Sequence, residues 1–296
     1  MLGKTGGAVI SQRINIVQVD PYGEIFDELI GLIADSVQKA GIAVGGTRHR
    51  VLADWVNLFV GATALLAPQE ISRLRNLPNG YLVFQLEPLD TDHAINQSNR
   101  PAYFEFLRDA KQVWDYSPSN VDFLVRLGLD NVRYIPVGYS PCLERIMNSG
   151  SRDIDILFYG SKTLRRAHIL DALRERGFET VNLFDKYGET RDSYIARAKI
   201  QLNMHQFQTN HLEQLRISYL LNNRCFVVSE TSDVNPYGDG MVFCDYDQLV
   251  ERCAYYLKPK MEVERRRIAQ LGYENLKLMP MASSIMKALS EITSSV

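Results

Sequence analysis

The sequence predicts an α/β protein built on two parallel sheets facing one another across a cleft. Three observations predict it. Short apolar runs alternate with helical patterns along the whole chain, as expected of parallel strands covered by helices on both faces. The alternation pauses in "GYSPCLERIMNSGSRD" (138–153), a stretch rich in Gly, Pro, Ser and Asn, and then begins again. The two series share this layout without sharing a sequence repeat.

The first series opens with "INIVQV" (14–19), too short and too rich in β-branched residues for a helix. "EIFDELIGLIADSVQKAG" follows with apolar residues at helical spacing. "WVNLFVG" (55–61), "YLVFQLE" (81–87), "QVWDYS" (112–117) and "VRYIPVG" (132–138) read as strands. "ALLAPQEISRLRNL", "YFEFLRDA" and "SNVDFLVRLG" read as the helices between them. The second series takes its strands from "DIDILFYG" (153–160), "TVNLF", "KIQLNMH", "CFVVSE" and "MVFCDY". Its helices are "LRRAHILDALRERG", "RDSYIARA", a segment near 212–222, "YDQLVERCAYYL" and "EVERRRIAQLGYENLKLMP". Pro280 breaks the last of these, and "MASSIMKALSEIT" forms a final helix able to turn back across the first half. The expected organisation is therefore residues 1–140, residues 141–280, and a crossing helix over 281–296.

Composition narrows the function. The 296 residues are 46% hydrophobic and 23% charged, with a net charge of −2, which gives no general attraction to nucleic acid. No apolar run is long enough to span a membrane, and "MLGKTGGAVISQRIN" lacks the core of a secretory signal. The expectation is a cytoplasmic protein with reduced thiols. Cys142, Cys225, Cys244 and Cys253 form no C-x-x-C pair and have no zinc spacing.

Ligands in such folds bind at the carboxyl ends of the strands, so polar residues just after a strand are the candidates. After the first strand, "VDPYGEIFDE" offers only Gly23, not the G-x-G-x-x-G of dinucleotide binding. Tyr22 and Gly23 are placed at the cleft mouth, on what would be an acceptor side. "FYGSKTLRR" (158–166) carries Gly160, Ser161, Lys162 and Arg165 into a helix start. Cations there oppose the helix dipole, and an anionic ligand would relieve the conflict. A second junction, in "KIQLNMHQFQTNHLEQLRIS", collects His205, His211, Glu213 and Arg216. Asn210 with Glu213 has capping-box spacing. Arg216 is a forked donor suited to phosphate. The competing reading is that Glu213 caps its helix and pairs with Arg216.

These phrases, with "AKIQLNMH", "LEQLRISYLLNNRCFVVSE", "FQLEPL", "VWDYSPSN" and "YIPVGYSP", resemble GT-B glycosyltransferases. The nearest resemblance is to the bacterial group of CgeB-type and family 1-like enzymes. The resemblance spans about half the chain. It implies two Rossmann-like domains and a nucleotide-sugar donor held by the second. Gly160, Ser161, Lys162 and Arg165 would meet the diphosphate, and His205, His211, Glu213 and Arg216 the nucleotide and sugar. Many retaining members carry two glutamates eight positions apart near this helix. Here those positions are Asn210 and Ser218, and Glu213 is the substitute for the ribose contact.

The first half supplies candidate acids and bases. Glu87 and Asp90, at the end of "YLVFQLE", could deprotonate an acceptor hydroxyl. Asp115 marks the next strand end on the acceptor side, and Ser117 or Ser119 could cap the following helix. "DTD" (90–92) has the Asp-x-Asp form by which GT-A enzymes hold a divalent metal, but the two-series layout favours a metal-independent GT-B enzyme without a cofactor. The function expected is sugar transfer from a nucleotide-diphosphate-sugar to an unknown acceptor. A nucleotide-sugar 2-epimerase-like isomerase and a non-catalytic nucleotide-sugar-binding module are the alternatives.

Overall fold

A computed structural model describes residues 13–19, 23–46, 49–64, 68–89, 100–146, 150, 152–206 and 211–293. Tyr22, Asp90, Asp92 and Asn210 lie outside them. Two parallel sheets are present, as the sequence predicts.

The first sheet comprises β1 (Arg13–Gln18), β2 (Ala43–Gly45), β3 (Val56–Val60), β4 (Tyr81–Gln85), β5 (Gln112–Asp115) and β6 (Val132–Tyr134) in the order β2-β1-β3-β4-β5-β6. The second comprises β7 (Ile154–Tyr159), β8 (Thr180–Leu183), β9 (Ala198–Asn203), β10 (Val227–Glu230) and β11 (Val242–Cys244) in the order β11-β10-β9-β7-β8. Both follow the 2-1-3-4-5 pattern. In each, the chain reverses direction across the sheet beside its first strand, between β1 and β3 and between β7 and β9, which opens a crevice there. β2 is absent from the sequence reading because three residues at a sheet edge carry too little periodicity to register.

The strands are apolar because helices cover both faces. All five residues of β4 are buried. One cluster of buried side chains runs from Ile14 and Leu82 in the first half through Leu212 and Leu220 to Ile285 near the carboxyl end. The first half adds α1 (Asp27–Lys39), α2 (Pro68–Arg75), α3 (Arg100–Asp109) and α4 (Pro118–Arg126). The second adds α5 (Leu164–Glu175), α6 (Gly188–Arg197), α7 (Gln214–Asn222), α8 (Leu249–Leu257) and α9 (Glu262–Lys277). After Pro280, α10 (Met281–Thr293) lies against α1. Gln112 Nε2 donates to the Ala288 carbonyl at 2.9 Å. Gly138 permits the crossing, since a Cβ there would lie 2.0 Å from the Met279 carbonyl oxygen.

α7 fastens the second half to the first. Its first residue, the buried Gln214, donates to the Tyr116 carbonyl at 2.8 Å and accepts from the Val137 amide at 3.2 Å. At its other end, Asn222 accepts from the Ser140 amide at 3.4 Å. The expected capping box does not form. α7 starts at Gln214, so Glu213 takes the N-cap position, and its side chain makes no capping bond.

Candidate functional site

The carboxyl ends of the two sheets enclose a cavity of about 440 Å³. Glu28, Leu86, Glu87 and Tyr116 line it from the first half, and Gly160, Ser161, Arg166, Arg191, His211, Glu213 and Arg216 from the second.

Gly160 ends β7 at φ +137°, a backbone geometry that side-chain-bearing residues resist. A Cβ at this position would lie 3.0 Å from Arg216 Nη2 and 3.9 Å from Arg166 Nη1. Two guanidinium groups thus converge on a strand end where only hydrogen can occupy the Cβ direction. Arg166 is 3% exposed. It donates twice to the Met204 carbonyl, at 2.7 and 3.1 Å, and to the carbonyl and hydroxyl oxygens of Ser161 at 3.1 and 3.2 Å. Burial first, and then the Arg216 cation, push its pKa down to about 10. Arg216 donates to Asn203 Oδ1 at 2.6 Å. Its buried Nε has no partner among the described residues. A buried, unpaired N–H on a cation is costly, and an anion would satisfy it.

Glu213 balances part of this charge. Its carboxylate accepts from Asn203 Nδ2 at 2.9 Å, faces His205 Nδ1 at 3.2 Å and lies 3.7 Å from Arg166. The ion pair drawn from sequence spacing, Glu213 with Arg216, is replaced by Glu213 with Arg166. Although burial pulls the other way, His205 holds the Glu213 pKa below the ordinary carboxylate value.

His205 stands behind Glu213 rather than in the cavity lining and is 1% exposed. Its Nδ1 faces the carboxylate and its Nε2 lies 3.0 Å from the Thr231 carbonyl. The carboxylate and the carbonyl accept only, and the Ser232 hydroxyl, 3.3 Å from Nε2, can accept as well as donate, so the surroundings accommodate a proton on both ring nitrogens. Burial lowers the His205 pKa, but Glu213 outweighs it and the net shift is upward. The direct ligand role expected of His205 becomes a role in holding Glu213. His211 does line the cavity, with its Nδ1 3.1 Å from Ser117 Oγ of the first half.

Two other expectations are corrected. Arg165 turns away to Glu230, to which it donates with both terminal nitrogens, one at 2.7 Å, and it stacks 3.9 Å over Tyr246. Lys162 is half exposed and lies 3.9 Å from Asp171. Thr163 caps α5, which sets the helix phase so that Arg166 faces the cavity in place of Arg165. Asp115 is also reassigned. It is 0% exposed and accepts from the Ser117 amide and Asn120 Nδ2 at 2.7 and 2.9 Å, so it shapes the loop after β5 instead of meeting a ligand. Burial raises its pKa well above the ordinary value. Gly23, at φ +69°, sits exposed in a turn whose carbonyl accepts from Gln18. Glu87 lines the cavity as expected, its own carbonyl held by Asn120 at 3.0 Å.

Sequence reasoning missed Arg191. It lies on α6, 6% exposed, and pairs at 2.9 Å with both Glu28 of α1 and Asp192. Its guanidinium lies 4.4 Å over Tyr219. No local signal marks it, because Glu28 is 163 positions away.

Two parallel sheets of 2-1-3-4-5 order with a charged cleft between their carboxyl ends constitute the GT-B fold. The chain superimposes on HepE of Anabaena in complex with UDP, with a TM-score of 0.66, 11% identity, and coverage of 96% of this chain and 100% of that one. It also matches an α,α-trehalose-phosphate synthase (UDP-forming) from Burkholderia vietnamiensis, with a TM-score of 0.61 and 9% identity over 96% of this chain and 100% of that one. TarM gives a TM-score of 0.58 at 8% identity over 81% of this chain and 55% of that one. Among curated proteins, uncharacterized protein L137 of Acanthamoeba polyphaga mimivirus is 30% identical over 187 residues, which is 59% of this chain and 25% of L137. Protein L140 of the same virus is 26% identical over 54% of this chain and 57% of its own length. The matched region is thus a quarter to somewhat over half the length of these two relatives. The sequence matches no family profile. Among the described residues, no helix is long and apolar enough to cross a membrane, and no group of three His, Cys, Asp or Glu could hold a metal ion.

Proposed function

We propose that this chain is a metal-independent glycosyltransferase that moves a sugar from a nucleotide-diphosphate-sugar to an acceptor hydroxyl. One observation carries the reading: the unpaired, buried Nε of Arg216, beside Arg166, at a glycine strand end in the cleft. A diphosphate brings the charge and the acceptor oxygens that this position lacks. HepE binds UDP on the same fold, which makes UDP the first nucleotide to test.

In this reading residues 1–140 form the acceptor-side domain, 141–280 the donor-side domain and 281–296 the helix that joins them. Arg166, Arg216 and Ser161 hold the diphosphate and stabilise it as it leaves with the electron pair of the broken glycosidic bond, an electrostatic task. Glu213, held by His205, accepts hydroxyls of the nucleoside or sugar, and His211 sits beside them. Glu87, which lines the cavity on the first-half wall, takes the proton from the acceptor hydroxyl. Asp90 remains a second candidate for that proton.

Calorimetry with UDP tests the donor half of this reading. Wild-type protein should bind UDP without added metal and in the presence of EDTA. Binding that appears only with Mn²⁺, or no binding to any of the UDP, GDP, dTDP and CMP nucleotides, would falsify it.

A further inference from the structure

The two walls of the cavity differ in charge. The second-half wall presents Arg166, Arg191, Arg216 and Lys186 against two carboxylates, Asp185 and Glu213. Among the described lining residues of the first half, the charged side chains are Glu28 and Glu87, and there is no lysine, arginine or histidine. The rest of that wall is Ile25, Phe26, Leu29, Leu86, Pro88 and their apolar neighbours, with Tyr116 spending its hydroxyl on the Leu86 carbonyl at 2.8 Å.

Apolar side chains also stand exposed at the cavity. Ile25 is 41% exposed on the first half, and Phe184 is 64% exposed on the loop after β8, and both line the cavity. Large apolar side chains left in water around a cavity mark a surface built to be covered.

We infer that the acceptor is an uncharged small molecule presenting an aryl or short alkyl group beside its reactive hydroxyl, and that a phosphorylated acceptor is excluded. This rests on the transferase reading of the same cavity and names its second substrate. An acceptor phosphate on the first-half wall would meet carboxylates and hydrocarbon, with no local cation to offset its desolvation. An aryl or alkyl group would cover Ile25 and Phe184 while its hydroxyl reached Glu87. Of the cations opposite, Arg166 and Arg216 meet the donor diphosphate and Arg191 pairs with Glu28, while Lys186 belongs to the second-half wall and follows Asp185 in the chain.

Saturation-transfer difference NMR on the full chain, with and without UDP, tests this with three probes: 4-nitrophenyl β-glucoside, octyl β-glucoside and glucose 6-phosphate. The expected result is saturation of the aryl or alkyl protons and at least tenfold weaker binding of glucose 6-phosphate. The I25E variant should weaken the aryl glucoside at least tenfold while its UDP affinity, read as a folding control, stays within twofold. Glucose 6-phosphate binding as tightly as the aryl glucoside overturns the inference. So does failure of both apolar glucosides to bind, or I25E retaining wild-type aryl affinity. Failure of UDP to bind the wild type sinks the donor reading instead, and the glucoside measurements made without UDP still decide the acceptor class.

Discussion

The two sheets share a strand order but not the chemistry of their carboxyl ends. After β7 and β9 the chain places Gly160, Ser161, His205 and, at the start of α7, Glu213 and Arg216. After β4 and β5 it places Leu86, Glu87, Pro88 and Tyr116, with Asp115 folded inward. Topology supplies a crevice in both halves, but the few residues following each strand decide what it can hold. The donor reading depends on this asymmetry, and so do the tests of it.

The largest effect should come from Arg216→Ala. Hydrogen bonds from a charged group are worth about 1.5–3 kcal/mol each, so UDP affinity should fall by about 10- to 150-fold. The melting temperature should also fall, since the change removes the bond to the buried Asn203 Oδ1, so UDP affinity is compared at a temperature where both proteins are folded. Unchanged UDP affinity by calorimetry would mean that the two ends of the molecule differ in charge without differing in function.

Gly160→Ala comes next. Forcing a side chain into left-handed backbone costs roughly 1–2 kcal/mol, and the new methyl would press on Arg216 Nη2 at 3.0 Å. Denaturant unfolding should show that loss of stability, together with weaker UDP binding. The matched control is Gly23→Ala on the first half. It also has positive φ, at +69°, but has nothing within 4 Å, so it should cost stability without touching UDP affinity.

A smaller effect is expected from pH. The His205 pKa is raised above its ordinary 6.5, so the His205–Glu213 contribution is fully present below that value and is lost as pH rises through the raised one. The Glu213 pKa is lowered from 4.5, so its contribution is present above 4.5 and is lost as pH falls through the lowered one. Wild type should therefore exceed His205→Asn in melting temperature most between pH 4.5 and 6.5, with the gap narrowing toward alkaline pH. A gap independent of pH would show that the His205 charge plays no part.

The sequence carried the fold because strands buried on both faces leave continuous apolar runs, as in "YLVFQ" and "CFVV". It also located the two second-half junctions that line the cavity, because glycine and clustered polar residues after a strand are a local signal. It did not resolve which side chains at those junctions face inward. His205 and His211 look equivalent in the sequence, yet one hydrogen-bonds to Glu213 and the Thr231 carbonyl and the other reaches Ser117 on the opposite half. Arg191 leaves no local signal, because its partner Glu28 is brought to it only by the packing of the two halves.

The smallest expected effect separates Lys162 from Arg166. Both belong to the same cationic run, "SKTLRR", and the macrodipole argument treats them alike. Exposure does not. Lys162 lies in water 3.9 Å from Asp171, where a surface pair is worth about 0–1 kcal/mol. Arg166 is held by Met204 and Ser161 at the cavity wall. Lys162→Ala should leave UDP affinity within twofold at 0.15 M salt, and raising the salt should not enlarge the difference. A tenfold loss would mean that long-range attraction draws in the donor, and the contrast between the two sheet ends would then be one of net field rather than of a built contact at Gly160.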